Sequence, residues 1–189
     1  MLETFKKLMF ARELSFEDGR ITMLKGRLIM IPISIFVNLY RTLKEQGSDA
    51  GKILYEIGKF EGVHWIGALQ NRYSMKGNDM LKWGFNSMAL AGWAKFDIVK
   101  VDLEKRDYAY FRAFDSAFAE TLGKTGEVCD YLLAGFFGGG GSVIYNKSLT
   151  CEEIKCTSKG DKCCEFRVVP SKEDWLPLFL QNVKKYYKS

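Results

Sequence analysis

At 189 residues and 47% hydrophobic composition, the chain holds enough apolar material for one domain, residues 1–189, with a sizeable core. Its net charge of +5 is too modest to demand a polyanionic partner. The one basic and aromatic concentration, Lys184 to Lys188, is equally the lysine-rich end of a helix, so nucleic acid is the weaker reading. The longest apolar run, residues 28–37, is broken by Pro32 and too short to cross a bilayer; with no signal-peptide pattern at the start, this predicts a cytoplasmic protein without membrane insertion.

In chain order, residues 3–10 read as a short helix. Residues 16–18, 20–24 and 27–31 read as short strands, with turns at Asp18-Gly19 and Lys25-Gly26. Pro32 suits the first turn of a helix over 33–46, whose apolar residues recur at helical spacing and whose stop is Gly47. Ser48 is the expected cap of a longer helix to residue 73. Gly51, Gly58, Gly62 and Gly67 lie along that helix; glycine weakens helices, so four of them predict the close approach of another helix or of a ligand. A third helix over 79–91, capped by Asn78, precedes strands over 93–101 and 108–114. Residues 115–121 fit strand or helix. An apolar helix follows over 127–137, with Cys129 in its first turn, and the run Gly138–Gly141 is expected to end it. That run lacks the context of a phosphate loop: no Lys-Ser or Lys-Thr follows, and it does not open a helix. A hairpin over 152–169 and a last amphipathic helix capped by Ser171 and Asp174 complete an α+β domain, an antiparallel sheet flanked by helices.

The hairpin carries the densest chemistry. Four of the five cysteines fall within residues 151–166, and the Lys159-Gly160-Asp161 turn places Cys156 across from Cys164. Facing thiols allow a disulfide, half a metal site or simple packing; an odd cysteine count and a chain large enough to need no staples weigh against the disulfide. Glu153 lies on the same arm, but in a regular strand it points away from Cys156, because their offset is odd. Both belong to one ligand set only if a β-bulge falls near Ile154 or Lys155; otherwise Cys151 or Cys163 is the better fourth ligand. Cys129, placed in a first helical turn, would meet free N–H groups and the positive dipole end, which favours thiolate.

His64 is the only histidine, and no hydrolase triad can be built around it. Together with Trp65, Trp83 and Trp93 it is the candidate lining of an apolar pocket, His64 being the polar handle; the alternative is that these side chains fill the core. Long apolar helices over 33–73 also predict a homodimer.

Glu153-x-x-Cys156, then Gly160-Asp161, then Cys164-x-Phe166, preceded by a Gly-rich apolar helix opening with Cys129, resembles the 4-vinyl reductase domain over about residues 33–169. The resemblance implies the fold shared with ligand-binding domains of nitric-oxide signalling and Golgi-transport tethering (TRAPP-like) proteins, and a sensor of small, often hydrophobic or aromatic ligands. It further implies a zinc held by Cys129, Glu153, Cys156 and Cys164. Cys151 and Cys163 are thiols beyond that pattern, and no ATPase or DNA-binding module accompanies the domain. The rival readings are a reductase of a tetrapyrrole vinyl group, for which no nicotinamide, flavin or iron–sulfur fingerprint is found, and a scaffold subunit.

Overall fold

The computed structural model describes residues 14–23, 26–103 and 107–186; the helix expected over 3–10 lies outside the described residues. Strands β1 (Leu14–Glu17), β2 (Arg20–Met23) and β3 (Gly26–Leu28) form a small antiparallel meander. Its inward Leu14 and Met23 pack on Trp65, Trp83 and Leu90. Helix α1 (Ser34–Glu45) starts behind Pro32 and buries Val37 and Tyr40. Gly47, at φ 72°, turns the chain into α2 (Ala50–Tyr73). The cap of α2 is Asp49 and not Ser48: the Asp49 carboxylate accepts from the Lys52 N–H at 2.9 Å. Helix α3 spans Gly77–Leu90, so Asn78 sits inside its first turn and not at its cap, and its side chain instead accepts from the Tyr145 hydroxyl at 3.0 Å.

The main sheet has the order β4-β5-β7-β6, antiparallel throughout, with β4 Lys95–Asp102, β5 Tyr108–Phe114, β6 Leu149–Lys155 and β7 Cys164–Pro170. The ambiguous stretch resolves as helix α4 (Ala117–Leu122), because the Ser116 hydroxyl caps it by accepting from the Ala119 N–H. Helix α5 (Tyr131–Tyr145) lies on the inner face of the sheet, and α6 (Leu176–Tyr186) closes the described chain. The hydroxyl that accepts the Leu176 N–H at the start of α6 belongs to Ser148, which also donates to Asp174. Ser171 and Asp174 were the expected caps.

Two departures from expectation concern α5. It begins at Tyr131 and not at 127, and Gly138–Gly141 do not end it but run through its interior. The glycines are there because α2 and α5 touch backbone to backbone. A Cβ on Gly58 would stand 2.0 Å from the Leu132 carbonyl oxygen, one on Gly62 2.4 Å from that of Phe136, and one on Gly135 2.0 Å from that of Tyr55. No side chain fits where carbonyls approach that closely. Helix propensity is given up along both helices so that their axes can come together.

On its other face α5 inserts Phe137 among Phe85, Phe96, Phe111 and Phe166, with ring centroids 5.0–5.7 Å apart and mostly edge to face. Phe111 and Phe166 come from adjacent strands at paired positions, so the sheet register itself builds this cluster. Replacing such a ring by Ala costs about 3–5 kcal/mol. Among the described residues no helix is long and apolar enough to cross a membrane.

Candidate metal and ligand sites

The β6–β7 register breaks between Glu153 and Lys155: Glu153 pairs with Phe166, but Lys155 pairs with Glu165, which leaves Ile154 extra. This is the bulge that the odd offset of Glu153 and Cys156 requires. It turns both inward, and the Glu153, Cys156 and Cys164 ligand atoms lie within 4.8 Å of one another. Beyond the bulge a 3₁₀ turn, Thr157–Lys159, and Gly160 at φ 109° close the hairpin. Asp161 fixes it by accepting the Cys156 N–H at 2.9 Å.

Cys129 arrives from the segment before α5. Ser158, at the hairpin tip, accepts the Thr125 and Gly126 N–H groups on its carbonyl oxygen at 3.0 and 3.2 Å, and its hydroxyl donates to the Gly123 carbonyl. The segment is thereby docked on the turn, and Cys129 Sγ lies 3.6 Å from Cys156 Sγ, which in turn is 3.7 Å from Cys164 Sγ. Those separations are far beyond a disulfide bond. They match the edge of a tetrahedron with ligands about 2.3 Å from its centre, roughly 3.8 Å. All five cysteines are free thiols. Cys151 is buried on β6 and Cys163 half-buried before β7, and neither joins the cluster.

Glu153 decides what the cluster is suited to. One carboxylate oxygen accepts the N–H groups of Cys129 and Asp130 at 2.9 and 2.7 Å; the other is buried with no hydrogen-bond partner. An orphaned carboxylate oxygen beside three sulfurs is costly unless a cation or a proton meets it. Burial first, and then the charges of Asp130 and Cys156, push the Glu153 carboxyl up to about 9. Hydrogen bonds from Cys129 and Cys164 hold the Cys156 thiol down, while the same contacts and burial push Cys129 and Cys164 up. Without a cation, then, the cluster carries one negative sulfur and a carboxyl that resists ionising. A divalent ion reverses that balance, since it needs the thiolates and the carboxylate as ligands. The donor set, three thiols and one carboxylate, is one zinc accepts.

The sequence reading missed Asp130. It is the N-cap residue of α5, fully buried, taking a hydrogen bond from the Ser116 hydroxyl. An Asp directly before an apolar helical run is a cap signature, and weighting it would have moved the helix start past Cys129. Cys129 therefore precedes the helix instead of sitting in its first turn, and its thiol is pushed up rather than down.

The four aromatic-pocket candidates fall in two places. His64, Trp65 and Trp83 are half-buried on α2 and α3. The Trp65 indole donates to the Ser87 hydroxyl at 3.2 Å, and Trp83 packs against Tyr73 at 5.3 Å. Trp93, just after α3, packs against Phe36 at 6.2 Å. None of the four lines either of two cavities. One is an open groove of about 420 Å³ at the start of α2, bordered by Tyr40, Lys44, Tyr55 and Tyr131. The other is a cleft of about 20 Å³, room for about one water, between α2, α3, α5 and the sheet. Its walls include Ile66, Phe85, Met88 and Phe137, where backbone at Gly84 and Gly140 leaves space.

Residues 109–170 match the 4-vinyl reductase domain family. A search of curated proteins finds no match to the chain. Among solved structures, the phenol-responsive sensory domain of the transcription activator PoxR with phenol aligns over 100% of this chain and 98% of its own, at 17% identity and TM-score 0.77. A vinyl-4-reductase family protein from Methanocaldococcus jannaschii aligns over 79% and 87%, at 20% identity and TM-score 0.52. A trafficking protein particle complex subunit 3 from Naegleria fowleri, covalently bound to palmitic acid, aligns over 74% and 95%, at 12% identity and TM-score 0.54. At these identities the likeness is one of fold, and it extends the family match over an antiparallel sheet with flanking helices.

Proposed function

We propose that this chain, whose residues 109–170 match the 4-vinyl reductase domain, is a module that binds and senses small hydrophobic or aromatic molecules, with a zinc ion built into its hairpin. The observation that carries the metal is the orphaned Glu153 oxygen beside the sulfurs of Cys156 and Cys164, with Cys129 a further 3.6 Å from Cys156. Cys129, Glu153, Cys156 and Cys164 would hold the ion. With four protein donors it has no open position and supplies folding energy, cross-linking the hairpin to the segment that leads into α5.

The ligand reading is supported by two relatives in fold whose structures hold phenol and palmitic acid, and by the apolar cleft that α5 shares with α3 and the sheet. Trp65 braces this cleft through Ser87, a residue of the helix that forms one wall. His64, Trp83 and Trp93 stand behind the walls, and their contact with a ligand requires the cleft to open toward them. Ile35 and Leu39 on α1, with Ile53 and Ile57 on α2, expose apolar surface that a second copy of the chain would cover. Free thiols suit a reducing, cytoplasmic compartment.

Native mass spectrometry after mild purification tests the reading. A retained hydrophobic molecule, or uptake of one from a panel of aromatics and fatty acids, is expected. A chain that neither retains nor takes up any of them contradicts it.

A further inference from the structure

The cleft between α2, α3, α5 and the sheet also restricts what it can hold, and the identity of its occupant rests on the reading of the chain as a small-molecule module. Its wall is built from Ile66, Leu81, Phe85, Met88, Phe111 and Phe137, with backbone exposed at Gly84, Gly140 and Gly141. The one side-chain hydroxyl on it, that of Tyr145, already donates to Asn78 at 3.0 Å. The glycine N–H and C=O groups lie inside α3 and α5, where they bond along the helix. The four candidate polar or indole side chains lie elsewhere. A void of this kind stays dry, and a hydroxyl placed in it has nothing to pair with.

The wall favours a ring. Phe137 meets Phe85, Phe111 and Phe166 at interplanar angles of 86°, 63° and 83°, so ring edges and faces alternate up to the cleft. A further aromatic ring continues that packing, and an aliphatic chain does not. Entry requires the wall to give, and two of its parts can move: a Cβ on Gly84 would meet only the Ile66 Cδ1, at 3.0 Å, and Met88 is a flexible thioether.

We infer that the cleft takes an aromatic hydrocarbon without hydrogen-bonding groups, an alkylbenzene and not a phenol. Leaving the phenolic hydroxyl unpaired weakens binding by roughly 10- to 100-fold, from the ~1–3 kcal/mol that a buried unsatisfied group costs.

The test is calorimetric titration of the full chain with toluene and with phenol, repeated on Gly84→Ala and Met88→Phe, each of which adds bulk to the cleft wall. Unliganded melting temperatures report whether each variant is folded, and either folded variant suffices. Toluene binding at least tenfold tighter than phenol, lost in the folded variant, supports the inference. Phenol binding as tightly as toluene, or tighter, overturns the hydrocarbon assignment and leaves the small-molecule reading standing. Toluene binding that the folded variants leave unchanged overturns the placement in this cleft. If neither compound binds, and a panel of other aromatics and fatty acids also fails, the inference and the reading beneath it fall together.

Discussion

Two glycines in one helix should respond to the same substitution with opposite signs. Gly67, within α2, has nothing within 4 Å of the place a Cβ would take, so Gly67→Ala should gain the helix propensity of about 0.5–1 kcal/mol. Gly58, nine residues earlier, would set its Cβ 2.0 Å from the Leu132 carbonyl oxygen, with the Leu132 carbonyl carbon at 2.9 Å and the Phe136 nitrogen at 3.0 Å. All three are backbone atoms of α5 and cannot rotate aside. The helices must separate by over an ångström, and overpacking of this kind costs about 1–3 kcal/mol before the propensity gain is returned. The gap between the two variants is therefore about 2–3 kcal/mol, or ~4–12 °C in Tm for a chain of this size. Thermal and urea denaturation followed by circular dichroism measure it. Gly58→Ala as stable as Gly67→Ala would show that α2 and α5 are not in backbone contact, and the explanation of the glycines would fail.

Replacing Cys156, the sulfur that contacts both other thiols, by Ser should abolish metal retention and cost ~3 kcal/mol or more, read as metal per chain and as a Tm lower by ~6–12 °C. In chelator-treated protein the raised Glu153 carboxyl keeps its proton in the fold up to about 9 but loses it near 4.5 when unfolded, so stability should fall as pH rises through that window. The metal-loaded protein should show the reverse at the acid end, because protons compete with the ion for thiolates and carboxylate; denaturation midpoints across pH for both forms check the two slopes. Sedimentation at micromolar concentration should give a dimer, and Ile53→Glu, which charges the exposed face of α2, should shift it to monomer. A parent protein that sediments only as monomer rejects the dimer.

Local chemistry made much of this architecture legible. The Lys159-Gly160-Asp161 turn is a short-range signal, and it alone brings Cys156 opposite Cys164. Parity of offset along a strand told in advance that Glu153 could join them only through a bulge, and the extra residue is Ile154. What the chain does not advertise is pairing at long range. Nothing local distinguishes a glycine run that ends a helix from one that receives another helix along its interior, because the reason lies at Tyr55, Lys59 and Gly62, some eighty residues earlier. The aromatic candidates show the same limit. Apolar spacing marks Trp65 and Trp83 as inward-facing, but which void they face depends on how α2, α3 and the small meander meet. Asp130 was within reach, since its cap position is a local signal that the apparent helix start at residue 127 obscured.

The chemistry of the hairpin turns on a cation occupying the space between Cys129, Glu153, Cys156 and Cys164. Native mass spectrometry combined with elemental analysis, on protein purified without chelators or immobilised-metal resin, tests this directly. About one zinc per chain, lost together with hairpin stability when Glu153 is replaced by Ala, is the result the orphaned carboxylate oxygen predicts. Metal-free protein that is as stable as any metal-supplemented sample would contradict it, and would leave the three thiols as core packing around a protonated Glu153.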